Sequence, residues 1–287
     1  MADKFIISGF ADEISTEVDL QFNTLNKLGI KYFEPRSIDG KGIEKLSDDE
    51  VAVLKKKMKK AEIKASSIGS PIGKISIKDD FVPHLELLKR VIDIAKEIDA
   101  KYIRMFSFFI PKEDDAQIWR SEVMNRMEQM VSLAEKEKVV LLHENERGIY
   151  GDTPERCLDI FKTVPSEYLK AAYDPANFVD CKCVSYPDAY NMLEDKIEYF
   201  HIKDSIMDGE VVPAGLGDGG IDKILKSIPT KETPYFLSLE PHLGNYSGFK
   251  NLGEKGTSHS HYGGPEVFGY AFDALKKILC EIDADFE

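Results

Sequence analysis

Eight short apolar segments recur along the chain, and the stretch between successive segments is long enough for one helix. In order, the segments are FIISGF from Phe5, KYFEPR from Lys31, IKASSIG from Ile63, KYIRMFSFF from Lys101, VVLLHEN from Val139, KAAYDPAN from Lys170, IEYFHIKD from Ile197 and YFLSLEP from Tyr235. Their lengths and their β-branched and aromatic residues are typical of buried strands. The pattern predicts strands separated by single helices.

The intervening stretches carry helical signals. In the first of them, four apolar residues share one helical face: Val18, Phe22, Leu25 and Leu28. Ser47 and Glu50 have the spacing of a capping box, which marks a helix start. Thr153 followed by Pro154 predicts another start, because proline suits the first helical turn.

Strand and helix alternate eight times, which favours parallel βα units. Eight units in 287 residues predict an α/β fold, a single (β/α)8 TIM barrel forming one domain over residues 1–287. An open doubly wound sheet is less favoured, because no GxGxxG motif follows the first strand. Residues 244–265 lack a clear pattern and follow the eighth strand, so they are a candidate for a segment that folds over the barrel mouth.

The composition narrows the class of partner. A formal net charge of −13 argues against a nucleic-acid or anionic-membrane binder, because both need basic surfaces. The four cysteines form no CxxC pair, so we expect free thiols in a reducing compartment. The N-terminus lacks a secretory pattern, and no apolar stretch is long enough to cross a bilayer. We therefore expect a cytoplasmic protein that acts on small molecules.

Ionisable residues stand at the ends of the last four predicted strands: Glu144, Asp174, His201 and Glu240. In a barrel, the carboxyl ends of neighbouring strands meet at the mouth that carries the chemistry. Three carboxylates brought together repel each other, and a divalent metal is the simplest remedy. An oxygen-rich set with one imidazole suits Mn²⁺, Mg²⁺ or Co²⁺ better than structural Zn²⁺, although Zn²⁺ remains an alternative.

Other polar residues at the predicted mouth are candidates for substrate contact. Glu34 ends strand two, and Arg104 lies inside strand four. A buried arginine is costly without a partner, so an ion pair of Arg104 with Glu34 or Glu144 is an equal alternative. Lys203 can neutralise a substrate oxyanion or pair with Asp204.

The pleat of a strand separates the roles of two histidines. His242 lies two residues past Glu240 and shares its face, which makes it a candidate for substrate contact. His143 should face away from its neighbour Glu144, which favours a structural role. The glycine-rich loop at residues 213–220 either makes a tight turn or holds a phosphate, but it lacks the lysine and hydroxyl residues of a P-loop.

Four motifs resemble the sugar phosphate isomerase/epimerase family, also called xylose isomerase-like TIM barrels: HEN at 143–145, YDPANF at 173–178, FHIKD at 200–204 and SLEPH at 238–242. The resemblance implies one divalent metal, commonly Mn²⁺, bound by Glu144, Asp174, His201 and Glu240. It also implies that the two glutamates act as the acid/base pair. Epimerase-like members often have a histidine where this chain has Asn177, which we assign to substrate contact.

The resemblance implies a metal-dependent isomerase or epimerase of a sugar or polyol, which abstracts a proton next to a chelated carbonyl and forms an enediolate. A metal-dependent lyase or dehydratase acting on a keto-sugar, keto-inositol or keto-glycoside is the alternative, because it starts with the same step. A non-catalytic sugar-binding barrel is a third possibility.

The number of histidines in the chain separates the single-metal members of this family from a further branch. The resemblance extends to endonucleases that bind three metals with additional histidines, whereas this chain has six histidines in all. That number argues for a single metal and against DNA repair. The expected partner is a small-molecule carbohydrate substrate. The sequence leaves the oligomeric state open between a monomer and a homo-oligomer, although members of the resembled family often dimerise or tetramerise.

Overall fold

Parallel strands line the barrel in the computed structural model, which describes residues 4–229, 233–246 and 263–287. The barrel strands are β1 (Phe5–Gly9), β2 (Tyr32–Phe33), β3 in two segments (Lys64–Ala65 and Ser67–Ile68), β4 (Tyr102–Met105), β5 (Val140–Glu144), β6 (Leu169–Tyr173), β7 (Ile197–Ile202) and β8 (Tyr235–Leu239). Each falls within one of the apolar segments of the sequence, except that β6 begins one residue earlier, at Leu169.

Hydrogen bonds between neighbouring strands close the barrel. One sheet has the order β1-β8-β7-β6-β5-β4-β3, with the second segment of β3 at its edge. β2 pairs with the first segment of β3, where Tyr32 lies beside Lys64. The N–H of Glu34, just after β2, donates to the carbonyl of Gly9 at 2.9 Å. The predicted TIM barrel is therefore confirmed.

Helices cover the outside of the barrel. They are α1 (Val18–Leu28), α2 (Asp48–Ala61), α3 (Val82–Glu97), α4 (Ala116–Glu137), α5 (Pro154–Thr163), α6 (Pro175–Asp180), α7 (Tyr190–Leu193), α8 (Ile221–Ser227) and α9 (Gly264–Glu281). Ser47 and Glu50 form the predicted capping box at the start of α2. Thr153 caps α5, and Pro154 occupies its first turn.

The strand register brings the last four strand ends to one level. Phe200 of β7 pairs with Tyr173, the residue before Asp174. On the other side of β7, His201 pairs with Ser238 of β8. Glu144 is the last residue of β5 and pairs with Ala172. Neighbouring parallel strands in this register end together, so their terminal side chains meet at the barrel mouth.

Other sequence expectations concern single residues and segments. His143 is buried against the ring of Phe161 from α5, on the side of β5 away from the mouth cluster. All four cysteines are free thiols. Within the described residues, no helix is both long and apolar enough to span a bilayer. Of the segment proposed to fold over the mouth, residues 247–262 lie outside the described part of the chain.

The loop after β3 depends on one glycine. Gly73 has a φ of +87°, and a Cβ there would lie 2.0 Å from the carbonyl oxygen of Phe106. This backbone contact cannot relax by side-chain rotation. Gly40 has a similar φ of +78°, but a Cβ there would have nothing within 4 Å. A substitution at Gly40 therefore measures the cost of a positive φ without a steric clash.

We predict that Gly73→Ala lowers the free energy of unfolding by about 3 kcal/mol, because overpacking adds to the cost of a positive φ. Gly40→Ala should cost about 1 kcal/mol, which is the φ effect alone. Urea unfolding of both variants measures the difference. Equal losses would show that the close approach at Gly73 imposes no constraint.

Candidate active site

The four predicted strand-end residues meet at the barrel mouth. One potential ligand atom from each lies within 4.8 Å of the others: Glu144, Asp174, His201 and Glu240. None of these residues is more than 4% exposed. The structure thus gathers three carboxylates and one imidazole in a space that water hardly reaches.

Asp174 is held by the loops on both sides of it. It caps α6, where its Oδ1 accepts a hydrogen bond from the N–H of Asn177 at 2.9 Å. Asn145 clamps its backbone: the Asn145 amide donates to the Asp174 carbonyl at 2.9 Å and accepts from the Asp174 N–H at 3.0 Å. Our sequence analysis missed Asn145, although it belongs to the quoted HEN motif.

His201 lies between two carboxylates. Its Nδ1 is 3.2 Å from Glu144 Oε1, inside the cluster. Its Nε2 is 3.3 Å from Glu34 Oε2, on the side of the barrel interior. The ring of Phe10 packs edge-on against the imidazole at 5.2 Å between centroids. The orientation of His201 is therefore fixed from both ends.

Lys203 supplies positive charge to the cluster. Its Nζ lies 2.7 Å from Asp174 Oδ2 and 3.2 Å from Glu240 Oε2. Asp204, the alternative partner, accepts instead from the backbone N–H groups of the glycine-rich loop at Gly215, Gly217 and Gly219. Because these donors already bind a carboxylate of the chain itself, the structure favours the tight-turn interpretation of that loop over a phosphate site.

Two arginines complete the charge balance. Arg104 Nη1 lies 3.2 Å from Glu144 Oε2, and its guanidinium packs between the rings of Phe10 and Phe106. The predicted ion pair of Arg104 therefore forms with Glu144. Arg36 Nη1 donates to Glu240 Oε1 at 3.0 Å.

These charges shift the pKa values of the cluster. Burial raises the pKa of Asp174 to about 7, since Lys203 offsets it only in part. For Glu144, burial is outweighed by His201 and Arg104, which lower its pKa to about 2. Burial is likewise outweighed at His201, where Glu144 and Glu34 raise the pKa to about 10. A metal must therefore displace a proton from His201, so metal affinity should fall as the pH falls.

The donor set fits a divalent cation. Asp174 Oδ2 and His201 Nδ1 are buried, yet neither has a well-aligned hydrogen bond among the described residues. Three carboxylate groups and one imidazole match the ligand preference of Mn²⁺ or Mg²⁺ and are compatible with Co²⁺ or Zn²⁺. Glu144, Asp174, His201 and Glu240 are the residues that would hold it.

A cavity of about 250 Å³ opens above the cluster. Its lining consists of charged and polar side chains, both cluster glutamates among them: Arg36, Lys74, Arg104, Glu144, Glu146, Asn177, Lys203, Glu240 and His242. Of the five residues predicted to contact substrate, four line this cavity. Glu34 does not, because it is fully buried beneath His201.

His242 is held by Glu13, a residue that our sequence analysis did not single out. Glu13 Oε2 accepts from the His242 N–H at 2.8 Å, and Glu13 Oε1 lies 3.2 Å from His242 Nε2. The backbone of His242 has a φ of +48°, unusual for a residue with a side chain. Glu13 lies in an acidic turn just after β1, and this position at the mouth end of a strand was the signal that could have marked it as a site residue.

Sequence comparison agrees with the barrel fold. A family model described as xylose isomerase-like TIM barrel matches residues 22–255. The chain belongs to the xylose isomerase-like TIM-barrel family. No curated protein matches the sequence.

Solved structures share this family fold at low sequence identity. The probable 3-DHS dehydratase of petrobactin synthesis from Bacillus anthracis has 17% identity and a TM-score of 0.72, covering 94% of this chain and 98% of that one. The IOLI protein with a binding zinc atom has 17% identity and a TM-score of 0.72, covering 96% and 99%. A D-tagatose 3-epimerase-like protein has 16% identity and a TM-score of 0.71, covering 98% of both chains.

We predict that Lys203→Met destabilises the metal-free protein by about 3 kcal/mol, because Asp174 and Glu240 lose their shared cation. A divalent metal restores that charge, so Mn²⁺ should raise the melting temperature of the variant more than that of the wild type. Differential scanning calorimetry with and without Mn²⁺ measures both gains. Lys74→Met is the matched control, since Lys74 lines the same cavity but pairs with Glu146. Equal gains in all three proteins would contradict the prediction.

A second prediction concerns His143, whose pKa burial lowers to about 4. Between about pH 6.5 and 4, the unfolded chain binds a proton at this residue that the folded protein does not bind. Stability should therefore fall by about 3 kcal/mol across that window, and His143→Leu should remove this part of the fall. Urea unfolding at several pH values, normalised to pH 7.5, tests it; parallel curves for both proteins would refute it.

Proposed function

We propose that the protein is a divalent-metal-dependent isomerase or epimerase of a sugar or polyol. The observation that carries the proposal is the buried set of three carboxylates and one imidazole beneath a small polar cavity. A volume of about 250 Å³ suits one monosaccharide-sized molecule rather than a chain of sugars. We propose Mn²⁺ as the metal, with Mg²⁺, Co²⁺ and Zn²⁺ as alternatives.

The bound metal would polarise a substrate carbonyl and make the neighbouring C–H more acidic. Glu144 and Glu240 are the proposed acid/base pair, because both lie at the cavity floor on different strands. Neighbouring cations hold the pKa of Glu144 at about 2 and that of Glu240 well below its usual range, despite the opposing effect of burial. Both carboxylates are therefore ionised at neutral pH in the metal-free protein, so either can act as the base, and the other must take up a proton before it acts as the acid.

The direction of proton return decides the reaction. One glutamate removes the proton, which leaves an enediolate. If the other glutamate, which has first taken up a proton from solvent, donates it to the opposite face of the same carbon, the product is an epimer, and the abstracted proton on the first glutamate exchanges with solvent. Donation to the adjacent carbon gives an isomer. Arg104 and Lys203 are the proposed contacts for the developing negative charge, since both line the cavity beside these glutamates.

The proposed substrate contacts differ in the hydrogen-bonding groups that they present to the cavity. Both amide hydrogens of Asn177 are directed inward, to Glu144 Oε1 at 3.2 Å and to the Asn145 carbonyl at 2.8 Å. Asn177 therefore steadies Glu144 and retains its amide oxygen for a substrate hydroxyl. His242, which is partly exposed in the cavity wall, is the proposed contact at the outer side.

A lyase or dehydratase acting on a keto-sugar, keto-inositol or keto-glycoside is the second candidate. Lys203 favours it, because a buried ammonium beside the proposed base can protonate a departing hydroxyl. The structural likeness to a probable 3-DHS dehydratase is compatible with this reaction but shows the fold alone.

We predict that Mn²⁺-loaded protein exchanges a carbon-bound hydrogen of one keto-sugar or keto-inositol for deuterium in D₂O. Glu144→Gln and Glu240→Gln should each slow the exchange by about 10²–10⁴-fold, because each removes one acid/base group. Proton NMR of a substrate panel measures exchange and products together. Glu128→Gln, at an exposed site on α4, is the control and should leave the rate unchanged.

The products separate the candidates. An epimer or isomer with deuterium at a retained carbon supports the first, whereas an α,β-unsaturated product or a released group supports the second. Metal binding with no turnover of any substrate in the panel would leave the non-catalytic sugar-binding interpretation and contradict both enzymatic proposals.

A further inference from the structure

A polar layer crosses the barrel interior directly beneath the four-residue cluster. At its centre, the fully buried Glu34 directs Oε2 toward three donors. The Tyr199 hydroxyl donates at 2.9 Å and the Ser238 hydroxyl at 2.8 Å, while His201 Nε2 lies at 3.3 Å. One carboxylate oxygen thus joins strands β7 and β8 to the end of β2.

This layer is unusual for the inside of a barrel. Such interiors are filled mainly by branched apolar side chains, and a buried carboxylate is costly unless hydrogen bonds compensate it. Here the hydroxyl network continues beyond Tyr199, whose hydroxyl lies 2.8 Å from that of Ser66; Ser66 in turn lies 2.6 Å from Ser8. Several strands therefore contribute polar groups that surround Glu34 without exposing it to solvent.

The contact with Glu34 determines which nitrogen of His201 carries the hydrogen. Both ring nitrogens face a carboxylate, so without a metal the imidazole can keep a hydrogen on each. Once a cation joins the cluster, the nitrogen outside the cluster, Nε2, is the one that keeps its hydrogen and donates it to Glu34. In the neutral imidazole, Nδ1 then carries the lone pair. Nδ1 is the nitrogen that faces Glu144 Oε1 at 3.2 Å, inside the cluster.

We propose that Glu34 is a positioning residue for the metal centre: it fixes the tautomer and the ring orientation of His201, so that Nδ1 binds the cation. Tyr199 and Ser238 hold Glu34 in place for this task. The inference rests on the proposed metal site and replaces substrate contact as the role of Glu34, because this residue does not line the cavity.

A purely structural role for Glu34 makes different predictions. A structural anion would stabilise the barrel through the two hydroxyl groups, and its loss would lower stability without changing how His201 binds a metal. If Glu34 is a positioning residue, its loss changes the affinity of the site for the metal. Partners of this kind behind metal-binding histidines typically contribute 10–100-fold to metal affinity.

The test combines calorimetry with nitrogen NMR on ¹⁵N-histidine-labelled protein, with Zn²⁺ as a diamagnetic probe. In the wild type, we expect His201 to bind Zn²⁺ through Nδ1 and to carry its hydrogen on Nε2. Glu34→Gln should weaken Zn²⁺ binding about 10–100-fold and broaden or shift the Nε2–H signal. Ser238→Ala removes another donor to the same oxygen but leaves His201 in contact with Glu34, so it should retain the Nδ1-bound form.

The outcomes are separable. Zn²⁺ bound through Nε2 in the wild type would overturn the proposal without any variant, which covers the case in which Glu34→Gln does not fold. Unchanged Zn²⁺ affinity and an unchanged tautomer in Glu34→Gln would also overturn it, while leaving the metal centre and the proposed reaction intact. No Zn²⁺ or Mn²⁺ binding by the wild type would instead overturn the proposed function and this inference with it.

Discussion

Repulsion among three carboxylates in a nearly dry space is the constraint on which the barrel mouth depends. Glu144, Asp174 and Glu240 reach it from the ends of different strands, and all three are buried. Like charges so close are tolerated only when cations or hydrogen bonds compensate them. The surrounding positive groups follow from that need, and so does the capacity of the site for a divalent metal.

The positive charges that compensate these carboxylates come from different sides of the cluster. Arg104 and Arg36 contact the glutamates from the side of β2 and β4, with aromatic rings against their guanidinium faces. Lys203 bridges Asp174 and Glu240 from β7. Because the arginines are rigid and the lysine is a flexible point charge, Lys203 is the cation best able to move when a metal or substrate enters.

Much of this arrangement is predictable from the sequence, because parallel strands in a closed barrel must end at one level. That rule placed Glu144, Asp174, His201 and Glu240 together. It failed for Glu34, since β2 has only two residues in its ladder and strand alternation gives no guide to the next side chain. Asn145 and Glu13 act on backbone groups of loops, and which backbone group a side chain meets depends on turns that no periodicity encodes.

The ligand set alone does not decide the reaction, because epimerisation, isomerisation and elimination share their first proton transfer. The difference must arise where donors meet particular substrate oxygens, which is the cavity wall. There this chain has Asn177, whose amide hydrogens serve Glu144 and the Asn145 carbonyl. The position thus supports a carboxylate of the floor instead of offering an imidazole to the substrate, so hydrogen-bond donation to a substrate falls to the cationic side chains of the wall and to His242.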